Sequence, residues 1–282
     1  MHLIYKDHLL SYFQGVDGQD RCIIDLSNLF VSQQERILFE SKWQSFLHSD
    51  PSNPQIILRS SNFLEYLTES IIPPHSGLRP PMLLLFGNPA PHSVKAGAMF
   101  SSEGNQREHR IWGFLAKTGV LAFNDRPLAG KLDANWRTKE LLTANYESPF
   151  QIAMASFLSL PSSASDNSWS GVAGVKKLFG AKAFNKLCNS EAQRLRAILE
   201  KFMPDKGIVL AFQKDAFNNL RSINTPPYSL RACLSATLIG SIEGNPNIFL
   251  GAIPPTRLIL SSRAKTVFIK LTKEGFDTVF RA

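Results

Sequence analysis

Five apolar residues in succession, Met82-Leu83-Leu84-Leu85-Phe86, stop abruptly at Gly87-Asn88-Pro89. A run with no polar alternation is a strand covered on both faces, as at the centre of a parallel sheet. Comparable runs recur at Ile152–Leu158, Gly207–Phe212 and Ile248–Gly251, with helical spacing in the segments between them. Strands alternating with helices predict an α/β domain over residues 81–282. The expected architecture is a three-layer α/β/α sandwich around a central, mostly parallel four-stranded sheet. Helices are expected at Ile111–Leu115, at about 175–188 and 190–202, near Asp215–Leu220, and from about Leu258 onward.

Residues 1–80 read as a mainly helical N-terminal extension. Ser32-Gln33-Gln34-Glu35 has capping-box spacing and opens a helix with Ile37, Leu38, Trp43 and Leu47 on its apolar face. A short strand at Ile56–Leu58 and a helix through Phe63, Leu64 and Leu67 are expected next. Pro73-Pro74-His75-Ser76-Gly77 and Pro80-Pro81 form a stiff connector into the main domain.

At 282 residues and 44% hydrophobic the chain carries enough apolar material for a packed core, which excludes disorder. No apolar stretch approaches the ~18 residues of a membrane span. The start, Met1 to His8, lacks the pattern of a secretory signal. Cys22, Cys188 and Cys233 are dispersed and odd in number, fitting reduced thiols in a cytoplasmic protein rather than a disulfide frame or zinc cluster, and a monomer is expected. Residues 1–80 carry 6 Lys/Arg against 9 Asp/Glu, and residues 81–282 carry 25 against 14. A basic body points to a polyanionic partner. A solvated basic surface explains the same charge.

Dinucleotide fingerprint, P-loop, nucleophile elbow and HExxH motif are all missing. In an open parallel sheet, ligands gather beyond the carboxyl ends of the strands. That rule selects the loops 87–106, 159–171 and 253–258. The first holds Gly87-Asn88-Pro89-Ala90-Pro91-His92-Ser93 and Gly97-Ala98-Met99-Phe100, followed by His109-Arg110-Ile111-Trp112. A second Gly-Asn-Pro, at 244–246, is explained by a plain turn. Asn88 is read either as a functional carboxamide or as a turn residue. Phe100 is either an exposed platform or one more core ring among 20 Phe. His92 is either a phosphate contact or solvent-facing, Arg107 and Arg110 either hold phosphate or lie on a solvated helix face, and both His92 and His109 read more readily as surface or helix-start residues than as catalysts.

The strand ending in Asn-Pro, the Gly-containing loop with its Phe and the Arg-aromatic helix opening resemble the uracil-DNA glycosylase superfamily. The closest style is that of its mismatch-specific and single-strand-selective branches. Ser156-Phe157-Leu158-Ser159-Leu160-Pro161 is similar to the family's second strand and its proline exit, and Gly207–Asp215 to its third. The resemblance implies an enzyme that flips a damaged base into a pocket and hydrolyses its N-glycosidic bond. It implies that Asn88 holds the attacking water, that Phe100 stacks on the base, and that Gly87 and Ser156 adjoin it. Several relatives place a base-reading Asn where Ser156 stands. His92, Ser93, Arg110, Thr256, Arg257 and Leu258 are implied to bind DNA, Thr256 as helix cap and phosphate ligand, Arg257 or Leu258 as the wedge.

The fourth loop departs from the family. Relatives commonly show His-Pro-Ser or Asn-Pro-Ser where this chain reads Pro254-Pro255-Thr256-Arg257-Leu258. Losing a donor to a developing anion typically costs ~10²–10³ in rate. Activity is therefore expected to be slow, restricted to good leaving groups, or absent; a nucleic-acid-binding member without catalysis is the alternative. A small-molecule-binding α/β protein is the third reading. Iron–sulfur relatives use four cysteines, so neither metal nor cofactor is expected here.

Overall fold

The computed structural model describes residues 1–102, 107–123 and 134–281. Residues 103–106 of the expected first loop lie outside the described residues. The chain opens with strands β1 (His2–Lys6), β2 (Leu10–Gln14) and β3 (Gln19–Asp25). Helices α1 (Leu26–Leu29), α2 (Gln33–Leu47) and α3 (Asn53–Ile56) follow, then strands β4 (Ile57–Arg59), β5 (Phe63–Ile71) and β6 (Pro81–Phe86). Next come α4 (Pro91–Ala96), α5 (Arg110–Thr118), α6 (Ala134–Leu142), β7 (Gln151–Ser156), α7 (Gly171–Phe179) and α8 (Ala181–Phe202). The chain closes with β8 (Gly207–Ala211), α9 (Lys214–Leu220), α10 (Leu230–Leu234), β9 (Ile239–Ile242), β10 (Asn245–Ala252) and α11 (Ser262–Phe280).

The protein is an α/β protein with ten strands among its described residues, not one built on a four-stranded parallel sheet. It divides into two compact units that interleave along the sequence. One comprises Met1–Ser70, Gly87–Met99 and Ser156–Ile198; the other comprises Ile71–Phe86, Phe100–Ala155 and Leu199–Ala282. The proline-rich connector expected near residue 80 lies within the second.

In the first unit, β1, β2, β3 and β5 pair antiparallel in that order, with β4 on β5. The expectation of a mainly helical extension is corrected here. Burial alternates strictly along β3, so Asp20, Cys22 and Ile24 face inward. Tyr12, Cys22 and Tyr66 form one row across three strands, all fully buried. The segment expected to be a helix through Phe63, Leu64 and Leu67 is β5, with Leu64, Tyr66 and Thr68 turned inward. Its polar inward residues disguise the two-residue period. Helix α2 forms as expected, with the Ser32 hydroxyl accepting from Glu35 N. Its packed face is Phe39, Trp43 and Phe46, whereas Ile37 and Leu38 are exposed. Phe39 stacks on Phe179 of α7 at 5.5 Å, and Phe46 meets Trp169 edge-on at 5.8 Å.

In the second unit the strand order is β7-β6-β8-β10-β9. Strands β6, β8 and β10 run parallel, and every residue of β6 and β8 is buried, as their unbroken apolar runs require. Strand β9, absent from the sequence reading, joins β10 antiparallel through a turn at Glu243–Gly244. Helix α11 packs on β8 and β10. Gly275 permits that approach, because a Cβ there would lie 2.9 Å from the Phe249 ring. Phe86, Phe212 and Phe268 continue as a ladder of rings at 4.8 and 6.0 Å.

The buried face of the first unit also holds Asp20, hydrogen-bonded by Tyr12 Oη (2.7 Å), Ser70 Oγ (2.6 Å) and Gly15 N (2.9 Å). Burial outweighs those donors and pushes its carboxyl from 3.8 to about 6. A raised carboxyl stabilises the fold below the unfolded value and loses that contribution as pH rises through the folded one. Between pH 4 and 6 the wild type should therefore lose up to ~3 kcal/mol through this group. Urea unfolding of wild type and Asp20→Asn at pH 4 and 7 checks this: the drop between the two pH values should be smaller in the variant.

Candidate active site

Immediately beyond β6, Gly87-Asn88-Pro89 lies beside the loop that follows β7, and the two are clasped within the first unit. Gly87 O accepts from Leu158 N at 2.9 Å and Pro89 O from Ser162 N at 3.2 Å. Between those bonds the Asn88 amide nitrogen donates to Ser162 Oγ at 2.7 Å and to Leu160 O at 3.4 Å. The carboxamide is half-buried, and its Oδ1 accepts from none of the described residues. Gly171, at φ +62°, passes beside this oxygen; a Cβ there would sit 3.8 Å from it. Half of the Asn88 amide is thus scaffold, and the other half is an acceptor open to water.

A buried ion pair on α8 supports the clasp from behind. Glu191 is fully buried and Arg194 is 3% exposed, and Arg194 Nε donates to Glu191 Oε2. The other Glu191 oxygen accepts from Ser159 N at 2.7 Å and from Ser159 Oγ. Arg194 Nη2 donates to the carbonyls of Ser156 (2.7 Å) and Phe157 (3.0 Å), and the guanidinium lies 5.0 Å from the Tyr12 ring centroid. Burial works against the charged guanidinium, but Glu191 together with Tyr12 and Cys22 outweighs it and holds Arg194 above its ordinary range. Thr68 and Tyr66 of β5 complete the grip, bonding Ser159 O and Ser159 Oγ at 2.7 Å each.

Phe100 opens a second cluster, in the other unit. Its backbone is left-handed, at φ +54°, a conformation costly for a residue with a side chain. Trp112 Nε1 holds it there by donating to Phe100 O at 3.1 Å. The half-buried ring stands edge-on to Phe86 at 4.7 Å and lies 4.6 Å from His109, whose Nδ1 accepts from Ile111 N to cap α5. Trp112 is fixed in turn by Arg137, whose guanidinium lies 5.2 Å from its centroid and pairs with Glu108. The alternative of complete core burial for Phe100 is therefore not what is seen.

The other expected residues are distributed as follows. Ser156 is 3% exposed, its Oγ has no partner, and its carbonyl accepts from Arg194. His92 is half-buried and Ser93 buried, both in the short helix α4. Arg110 is exposed at the start of α5. Thr256, Arg257 and Leu258 form a single 3-10 turn, with Arg257 exposed. Thr256 does not cap the closing helix; Ser261 does, accepting from Ala264 N at 3.1 Å. Ser162, Glu191 and Arg194 did not emerge from the sequence. Of these only Ser162 left a trace there, in the Ser-rich loop after the second strand.

No protein-family model matches this sequence, and no curated protein matches it. Chemically, the first unit offers a fixed carboxamide oxygen able to accept a hydrogen bond from water, and the second a constrained aromatic ring. If the ion pair holds the clasp, removing one partner leaves a buried charge uncompensated. Arg194→Met should cost ~3–5 kcal/mol in denaturant unfolding, and adding Glu191→Leu should recover most of it.

Proposed function

We propose that this chain is a DNA glycosylase-like hydrolase that removes uracil or a related damaged base from DNA. The observation that carries the reading is Asn88, a carboxamide immobilised through its nitrogen with its oxygen left to accept from water. In the reaction the C1′–N bond breaks and the base leaves with the bonding electrons. Water supplies the oxygen that bonds to C1′; its proton goes to solvent, and the departing base anion takes one up. Asn88 Oδ1 orients that water, an effect of position rather than of basicity, since an amide does not take the proton. Phe100 supplies the ring on which a flipped base stacks, and its constrained backbone keeps that ring from retreating. Exposed Arg110 and Arg257 are assigned to phosphate, and the basic balance of residues 81–282 favours DNA. The protein is read as a cytoplasmic monomer working without metal or cofactor; no described helix is long and apolar enough to cross a membrane.

Two observations favour the non-catalytic reading. Pro254 is buried and, as an imide, has no N–H to offer a departing base, and the Ser156 hydroxyl is also withdrawn into the interior. Leaving-group stabilisation is then weak, and substrates with good leaving groups are preferred.

Abasic-site formation on oligonucleotides carrying uracil, hypoxanthine, xanthine or a mismatch tests the proposal. Asn88→Ala should reduce turnover by about 10²-fold or more while DNA affinity stays within a few-fold. Phe100→Ala should weaken affinity for the damaged strand. Equal turnover in wild type and Asn88→Ala removes the mechanism. Salt-dependent DNA binding without any abasic product selects the non-catalytic reading.

A further inference from the structure

We infer that Ser162 sets the polarity of the Asn88 amide, and is thereby a positioning residue for the proposed hydrolysis. This rests on the functional reading of Asn88, but its geometric basis is independent of it. Ser162 is 2% exposed, and its hydroxyl donates to Gly171 O at 3.0 Å. A hydroxyl has one proton to give, and a backbone carbonyl can only accept. With that proton committed, Ser162 Oγ faces Asn88 as an acceptor at 2.7 Å. Leu160 O, at 3.4 Å, is an acceptor as well. Pro89 O, at 3.5 Å, is a third. Three acceptors converging on one end of the carboxamide admit only its NH2, so Oδ1 is the end left outward. Turned over, the amide would set its oxygen against all three acceptors and lose their hydrogen bonds, the shortest of them to Ser162 Oγ, at a half-buried position. The Gly171 carbonyl thus commits the Ser162 proton. Ser162 N also donates to Pro89 O at 3.2 Å, which fixes the distance between the two loops while the hydroxyl fixes the direction of the amide. The oxygen that meets water is chosen by a residue 74 positions away.

Two readouts on full-length protein test this. The first needs no substrate: solvent exchange of the Asn88 side-chain NH2, assigned by its loss in Asn88→Ala. It should be slow in wild type, at least about tenfold faster in Ser162→Ala, and slow again in Ser162→Thr, which keeps the hydroxyl. The second is turnover on uracil-containing DNA: Ser162→Ala should lower kcat by about tenfold or more with KM unchanged, and Ser162→Thr should restore most of it. Fast NH2 exchange in the wild type overturns the inference even if Ser162→Ala fails to fold. Unchanged kcat in a folded Ser162→Ala overturns the positioning role. Slow exchange that depends on the hydroxyl, in a wild type that forms no abasic site, supports the amide polarity and removes the enzymatic proposal.

Discussion

A charged guanidinium buried beneath a loop governs the geometry of the first unit. Arg194 is withdrawn from water, so its charge must be met by Glu191 and its remaining protons by carbonyls. It meets them on Glu191, Ser156 and Phe157, and Glu191 passes the constraint to Ser159 through both backbone and hydroxyl. Every polar group of residues 156–159 that this pair holds is removed from the choices open to a surface loop. The segment that continues into Leu160 and Ser162 therefore starts from a fixed direction. Asn88 is held by that segment, and its orientation is a consequence of charge burial several residues away.

The two units solve the same problem, presenting a group without letting it move, by different means. In the first, hydrogen-bond donors and acceptors are matched until one amide oxygen remains over. In the second, rings and one indole N–H restrain Phe100 in a backbone conformation it would not choose, and an ion pair between Glu108 and Arg137 steadies the indole. Polar matching leaves one acceptor oxygen over, and aromatic packing holds one ring in place.

What the sequence disclosed follows from how each element earns its burial. Strands β6, β7 and β8 lie buried along their whole length and β10 from Ile248 onward, so their apolar runs announce them and their ends locate the loops. The N-terminal strands were hidden because their buried face carries Asp20, Thr68 and Ser70 among apolar residues, and a polar residue inside breaks the pattern that reveals a strand. Leu64 and Leu67 lie three apart, the spacing of one helix face, whereas on the strand they point to opposite faces. Asn88 and Phe100 were legible as residues at a strand end and in its loop. The partners that determine what they can do were not. Ser162, Glu191 and Arg194 lie 74 to 106 positions from Asn88 in sequence and meet its loop only through the fold. The capping role assigned to Thr256 fell to Ser261 because the chain makes one 3-10 turn before the helix begins.

Native-state hydrogen exchange at the backbone amides of Leu158 and Ser159 tests most directly whether the loop is fixed from behind. Both amides are satisfied, Leu158 on Gly87 O and Ser159 on Glu191. The expected result is exchange only through global unfolding, with a denaturant dependence equal to that of the core strands, and a collapse to rapid local exchange in Glu191→Gln. Exchange of these amides through a small local opening in the wild type would contradict it, since an amide oxygen carried by a loop that opens freely cannot hold a water in place.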